Sequence, residues 1–290
     1  LEPKLREHIL EIVSVALAED LGNEGDITSV SVVPPEAKSA GVIVSRASGK
    51  VAGLAVAEEV FRQVDGSIVF EKMVEEGQSV SPGKAVSRLS GSTSGILAAE
   101  RTALNFLQHL SGIASLTASY VEKVRGLPVA ILDTRKTLPG LRTLEKYAVR
   151  IGGGLNHRLG LYDAVLIKDN HIKSVGGVRK VLEKARAGLP SGTPVEIEVE
   201  NLEELSEALE LGAETIMLDN WPLSELKEAV KVVARRAKLE ASGGVTLETV
   251  KDIAATGVDF ISVGELTHSA PALDFSLELE WSSQPLSGKR

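Results

Sequence analysis

Leu5, Ile9, Ile12, Val13, Ala16 and Leu17 recur at the three- and four-residue intervals that place apolar side chains on one face of a helix, here ending near Leu21-Gly22. A Pro34-Pro35 break follows, and the period then changes. AGVIVSRA (40–47) and SIVFEKM (67–73) alternate as strands do, with the helical stretch GLAVAEEVFRQV between them. VEEGQSVSPGKAVSRLSG (74–91), with turn residues at Gly77 and Pro82-Gly83, reads as a strand–turn–strand element. This part of the chain predicts a small α+β sandwich.

From about residue 96 long helices take over. ILAAERTALNFLQHLSGIASLTASYVEKV predicts two helical segments separated near Ser111-Gly112. Short aliphatic runs then alternate with amphipathic helices: PVAIL (128–132), AVLI (164–167), VEIEV (195–199), TIML (215–218), KLEA (238–241) and FISV (260–263). Strands separated by helices must pair in parallel through right-handed crossovers. A barrel and an open doubly wound sheet both satisfy that pattern. The runs end in or carry Asp133, Lys168, Glu198, Asp219, Ser242 and Gly264. Polar or small residues at every strand end suit one shared barrel mouth, whereas an open sheet brings only a few ends to a ligand. The expectation is therefore an α/β protein with a (β/α) barrel of fewer than eight strands. The domains would run from 1 to 110 and from 111 to 271. ALDFSLELE (272–280), with Leu273, Phe275, Leu277 and Leu279 alternating, would pair back onto the N-terminal sheet.

Composition narrows the function. No run of 18 apolar residues exists, which excludes a membrane-spanning helix. LEPKLREHILEIV reads as an amphipathic helix and not as a signal peptide. The chain has no Cys, so disulfides, thiolate metal sites and Cys nucleophiles are excluded. A net charge of -8 over 290 residues argues against nucleic acid as partner. A cytoplasmic metabolic protein is expected. Charge is unevenly spread: between Asp133 and Lys173 eight Lys/Arg face four acids, a net of +4, which leaves 24 basic and 36 acidic residues elsewhere. A basic island in an acidic chain fits a small anionic ligand, or alternatively a solvated helix face.

The candidate chemistry lies in and around that island. DTRKTLPG (133–140) follows a strand and sets Thr134, Arg135 and Lys136 side by side, a bidentate fork next to a compact charge. GGGLNHRLGLYDAVLIKDNHI (152–172) frees the backbone with three glycines, offers His157 and Arg158 as anion-directed donors, and ends a strand in Lys168. Glu198 and Asp219, at apolar strands, suit a divalent metal, a sugar hydroxyl or an ion pair with Lys168. ASGGV (241–245), before a helix expected to start near Thr246, and Ser262-Val263-Gly264 form adjacent loops of the kind that hold phosphate late in barrels.

ERTALNFLQHLSGIAS, DTRKTLPGLRTLEKYAVRIGGGLNHRLGLYDAVLIKDNHI, EIEVEN, IMLDN, ASGGV and ISVGELTH together resemble quinolinate phosphoribosyltransferases, also called nicotinate-nucleotide pyrophosphorylases (carboxylating). The resemblance covers nearly the whole chain. It implies an open, seven-stranded α/β barrel with a smaller N-terminal α+β domain. The implied reaction is transfer of phosphoribosyl from phosphoribosyl pyrophosphate to quinolinate with loss of CO2, assisted by Mg2+, in NAD biosynthesis. Residue by residue, it implies that Thr134, Arg135, His157, Arg158 and Lys168 bind the substrate and that Lys136 lies beside the pyrophosphate donor. Glu198 and Asp219 would stand near the ribose and the metal, with Ser242, Gly243, Gly244 and Gly264 around the 5′-phosphate. Lys136, Lys168, Glu198 and Asp219 are the catalytic candidates. Arg101 matches an arginine supplied by the neighbouring subunit, so a homodimer or larger homo-oligomer is implied. The rivals are a relative acting on another acid, a Schiff-base aldolase using Lys168, a binding protein without catalysis, and a biotinyl- or lipoyl-type carrier using Lys72.

Overall fold

The computed structural model describes residues 2–190 and 192–280. The chain divides into two compact units. The first comprises the N-terminal part up to Ser115, Thr143–Gly152 and the chain from Ala270; the second comprises Leu116–Arg142 and Gly153–Ser269.

In the first unit, helix α1 (Pro3–Leu21) buries Leu5, Ile9, Val13 and Leu17, a strict four-residue stripe. Helix α2 (Ile27–Val32) is capped by Asp26, whose carboxylate accepts the Thr28 and Ser29 amides at 3.1 and 3.0 Å. Strand β1 (Lys38–Ser45), the short β2 (Gly49–Lys50), helix α3 (Leu54–Val64), and strands β3 (Val69–Lys72), β4 (Ser79–Val80) and β5 (Ala85–Ser92) follow. The strand–turn–strand reading of 74–91 finds its two strands in β4 and β5, but they do not pair with each other. β4 pairs with β2, whereas β5 lies between β1 and β3. Lys72 sits on β3 in an ion pair with Glu58 at 2.6 Å, not at the tip of a hairpin as a carrier lysine would be.

Helix α4 (Thr93–Lys123) runs without interruption through Ser111-Gly112, where the sequence predicted a break. Both residues serve docking. The Ser111 hydroxyl accepts the Ala52 amide at 2.9 Å and donates to the Ala52 carbonyl at 3.1 Å. A Cβ on Gly112 would lie 2.2 Å from the Pro271 carbonyl oxygen, so only glycine lets these backbones meet. Helix α5 (Arg142–Ile151) falls almost wholly within this unit and buries Glu145 and Lys146 with its apolar residues. The last strand, β12 (Phe275–Glu280), pairs antiparallel with β1, giving the sheet order β12-β1-β5-β3.

The second unit carries the strands β6 (Ala130–Leu132), β7 (Val165–Ile167), β8 (Val195–Val199), β9 (Thr215–Asp219), β10 (Lys238–Ser242) and β11 (Phe260–Ser262), all parallel, in the order β6-β11-β10-β9-β8-β7. They correspond to the six aliphatic runs. A seventh position is reduced to a single parallel bridge between Leu132 and Leu155. Helices α6 (Asp169–Val175), α7 (Val178–Gly188), α8 (Leu202–Glu210), α9 (Leu223–Val233), α10 (Val250–Ala254) and α11 (Glu265–His268) alternate with the strands. α8 buries Leu205, Ala208 and Leu209, and α9 buries Leu226, Ala229 and Val233, as crossover helices packed on a sheet must. β6 and β7 stand at opposite ends of the strand order, yet the segments following both line one cavity. A flat sheet cannot do that, so the sheet is rolled into an open barrel. Among the described residues no helix is long and apolar enough to cross a membrane.

Candidate active site

The cavity, of about 570 Å³, opens at the C-terminal ends of the barrel strands, and every residue lining it belongs to the second unit. The loop after β6 brings Thr134, Arg135 and Lys136 to it. Thr134 Oγ1 accepts the Lys136 amide at 3.0 Å, and the Thr267 hydroxyl donates to the Lys136 carbonyl at 2.8 Å, which ties this loop to α11. Asp133, a strand-end acid, does not line the cavity. It is fully buried and anchors the next segment: its Oδ1 accepts the His157 amide at 2.9 Å and its Oδ2 the Asn156 side-chain amide at 2.6 Å.

That anchor presents His157 and Arg158. Arg158 donates from Nη1 to the Ala164 carbonyl at 3.0 Å, while the Nε atoms of both Arg158 and Arg135 are buried without a hydrogen-bond partner. Burial, and then the neighbouring Arg135, push the Arg158 pKa down from its ordinary value. An arginine stays charged under such a shift, so two like charges with unspent donors share one wall. The basic island of the sequence does not arrive here whole. Lys146 is buried in the first unit, and Lys173 pairs with Asp169 and Glu200 at 3.2 and 3.1 Å.

Lys168 caps α6 and its Nζ lies 3.2 Å from Glu198 Oε2, so the ion pair foreseen for Glu198 exists at the cavity wall. Asp219 ends β9 beside Asn220, which donates to it at 2.8 Å. Gly243 and Gly244 have φ of 89° and 61°, and consecutive positive φ values turn a run of amides outward as an anion-binding nest. A Cβ on Gly243 would come within 2.2 Å of Asn220 Oδ1. The helix expected near Thr246 begins at Val250 instead, after a turn in which the Thr246 carbonyl accepts the Thr249 and Val250 amides at 3.1 and 2.9 Å. The cradle therefore rests on loop amides and not on a helix end. Gly264 borders it, where a Cβ would meet the Lys136 side chain at 3.0 Å. Arg101 lies exposed on α4 in the first unit and is not among the lining residues.

Mg2+ takes oxygen ligands, usually one or two carboxylates completed by substrate phosphates and water. Glu198 and Asp219, on neighbouring strands of the cavity that also holds the cradle, fit that pattern. His157, Glu196 and Glu240 also bring one ligand atom each within 4.8 Å of one another; His157 Nε2 bonds Glu196 Oε2, while Glu196 Oε1 is buried without a hydrogen-bond partner.

These groups form a polar layer beneath the mouth that the motifs did not disclose. His157 Nε2 is 2.8 Å from Glu196 Oε2 and 3.7 Å from Glu240 Oε2. The Ser262 hydroxyl donates to Glu240 Oε1, and an oxygen of Glu240 lies within 4.8 Å of the Glu196 carboxyl. Burial, and then the Glu196 carboxylate, push Glu240 up to about 8. The Arg158 amide donates to His157 Nδ1 at 2.9 Å. Both ring nitrogens of His157, read from the sequence as an anion donor, are thus engaged within the chain. The available signal for Glu196 was its two-residue spacing from Glu198, which places both on one face of β8. Glu265 was missed as well: it lines the cavity and accepts a hydrogen bond from the buried Tyr120 hydroxyl.

Residues 113–278 match the family described as quinolinate phosphoribosyl transferase, C-terminal domain, and residues 26–111 match the corresponding N-terminal domain. The nicotinate-nucleotide pyrophosphorylase (carboxylating) of Mycobacterium leprae is 46% identical over 271 residues, which cover 91% of this chain and 94% of that protein. A mitochondrial quinolinate phosphoribosyltransferase (decarboxylating) of Nicotiana glauca is 45% identical over 288 residues, covering 93% of this chain and 82% of that one. The crystal structure of NadC from Streptococcus pyogenes superposes with a TM-score of 0.93 at 40% identity, covering 98% of this chain and 99% of that one.

Proposed function

The chain belongs to the quinolinate phosphoribosyltransferase family, and we propose on that premise that it transfers the phosphoribosyl group of phosphoribosyl pyrophosphate to the ring nitrogen of quinolinate, releasing pyrophosphate and CO2 and leaving nicotinate mononucleotide for NAD biosynthesis. The observation that carries this reading is the pair of buried, unpartnered Nε–H groups on Arg135 and Arg158 in the same cavity as the Gly243-Gly244 nest. Forked cations suit a dicarboxylate, and outward amides suit a phosphate.

Arg135 and Arg158, with Lys168 and the supporting wall at His157, orient the two carboxylates so that the ring nitrogen faces the anomeric carbon. Holding the partners in that geometry removes much of the entropic barrier. Thr134 and Lys136 lie where donor and acceptor meet, and Ser242, Gly243, Gly244 and Gly264 hold the 5′-phosphate. As the bond to pyrophosphate breaks, positive charge grows on the ribose, and the Glu198 and Asp219 carboxylates stabilise it. Glu198 and Asp219 would also hold Mg2+, which when bound would supply neutralising charge to the pyrophosphate. The new bond makes the ring a pyridinium, which takes up the electron pair left at C2 as CO2 departs. That carbon then takes a proton.

A homodimer in which Arg101 reaches the partner's cavity completes the proposal. It is supported by the exposed position of Arg101 and by the exposed apolar Ile27, Val30 and Val32 on α2. A cytoplasmic setting fits the Cys-free composition, although the Nicotiana relative bears a mitochondrial name. Lys168 does not favour the aldolase alternative, because its amine is ion-paired and half exposed where Schiff-base chemistry uses a desolvated lysine.

The test is to incubate the protein with quinolinate, phosphoribosyl pyrophosphate and Mg2+ and to follow nucleotide and CO2 together. Equal amounts of both, and no product when nicotinate replaces quinolinate, are expected. Nucleotide without CO2 would move the acceptor to another acid, and folded protein with no turnover would remove the function altogether.

A further inference from the structure

Two hydrogen bonds at His157 fix the place of its ring proton. Arg158 donates its amide to His157 Nδ1, so a proton on Nδ1 would set two donors head to head. The ring's single proton then resides on Nε2 and is given to Glu196 Oε2. Glu240 accepts from the Ser262 hydroxyl on one oxygen, and its other oxygen lies 3.7 Å from the same Nε2. Glu240 is almost completely buried, and Arg135 and Arg158 line the same cavity as the ring. The polar layer runs from Ser262 on β11 through Glu240 on β10 and Glu196 on β8 to the segment bearing Arg158.

We propose that Glu196 and Glu240 are positioning residues that lock His157 in its neutral Nε2–H tautomer, and that His157 through its bare Nδ1 fixes Arg158 for the acceptor dianion. On this account His157 gives the acceptor no charged N–H group and acts on it through Arg158. The acceptor half of the inference rests on the proposed function, whereas the tautomer lock does not.

The test begins with 15N-histidine-labelled protein and long-range 1H–15N correlation spectra, with the His157 signal assigned from its absence in His157→Ala. A protonated Nε2 with a bare Nδ1 is expected throughout roughly pH 6–8, the range in which an ordinary imidazole titrates. Two protonated nitrogens, or a proton on Nδ1, would overturn the proposal, and this wild-type spectrum decides even if a variant fails to fold. In Glu196→Leu the single-tautomer pattern should be lost and calorimetric quinolinate affinity should fall about tenfold, in line with a buried bond left unmade. Ribose 5-phosphate affinity should stay unchanged. Glu196→Gln, whose amide oxygen still accepts from Nε2–H, should restore both the pattern and the affinity. Unchanged quinolinate binding in Glu196→Leu, or equal losses for both ligands, would reject the positioning role. Wild-type protein with the Nε2–H pattern but no affinity for quinolinate would remove the proposed function and the acceptor half together, with the tautomer lock left standing.

Discussion

Glu240 occupies a place where a carboxyl has little to gain from ionising: it is buried at the barrel centre with Glu196 against it, and the Ser262 hydroxyl is left to favour its charge. Its pKa, pushed up to about 8, lies above the ordinary value of 4.5, so the folded state binds a proton that the unfolded chain releases. Its contribution to stability is therefore complete below about pH 4.5 and is lost as the pH rises towards and through about 8. Glu240→Gln keeps the shape, a donor for Glu196 and an acceptor for Ser262, and it has no proton to lose. The melting temperature of this variant should match the wild type near about pH 5 and exceed it near about pH 9. A difference that does not grow with pH would mean that Glu240 is ionised in the fold. The sequence offered no handle on this residue, because a glutamate within KLEA is indistinguishable from a surface acid until the strand is placed at the barrel centre. Arg135, Arg158 and Lys168 were legible for the opposite reason: three cations close to strand ends have few structural uses.

A helix can be decided by one atom. Ser111-Gly112 in the middle of α4 carries the local signature of a helix break, and glycine costs about 1 kcal/mol there relative to alanine. The helix persists because Gly112 admits the Pro271 carbonyl and Ser111 bonds the Ala52 backbone. Gly112→Ala should gain helix propensity yet lose about 2–3 kcal/mol net, since a Cβ 2.2 Å from a backbone oxygen cannot be relieved by a rotamer change. Chemical denaturation would measure it, and a stabilised variant would show that the contact yields easily. The same distinction explains which elements could be read in advance. The six barrel strands stand out because each is a short aliphatic run between amphipathic helices, a pattern internal to each segment. The pairing of β4 with β2 instead of β5 and the single bridge at Leu155 depend on partners distant in sequence. No local pattern carries that information.

At the scale of the molecule, the lining of the cavity leaves one cation of the family pattern unused. All the lining residues come from the second unit, whereas Arg101 is exposed on the first, a unit that also exposes Ile27, Val30 and Val32 on α2. In the proposed dimer each site would combine Arg158 of one subunit with Arg101 of the other. Arg101→Ala and Arg158→Ala should each abolish most activity in homodimers. After subunits of the two variants are mixed and allowed to exchange, half of the dimers are hybrids. In every hybrid one site has lost both arginines and the other has regained both. About a quarter of wild-type activity should therefore return, as the two-fold arrangement of a symmetric dimer requires. If Arg101 served the cavity of its own chain, each hybrid site would lack one arginine and mixing would restore nothing. Recovery near a quarter would place one residue of every active site on a second copy of the chain. The absence of recovery, with hybrid formation confirmed by native mass spectrometry, would return Arg101 to an ordinary helix surface.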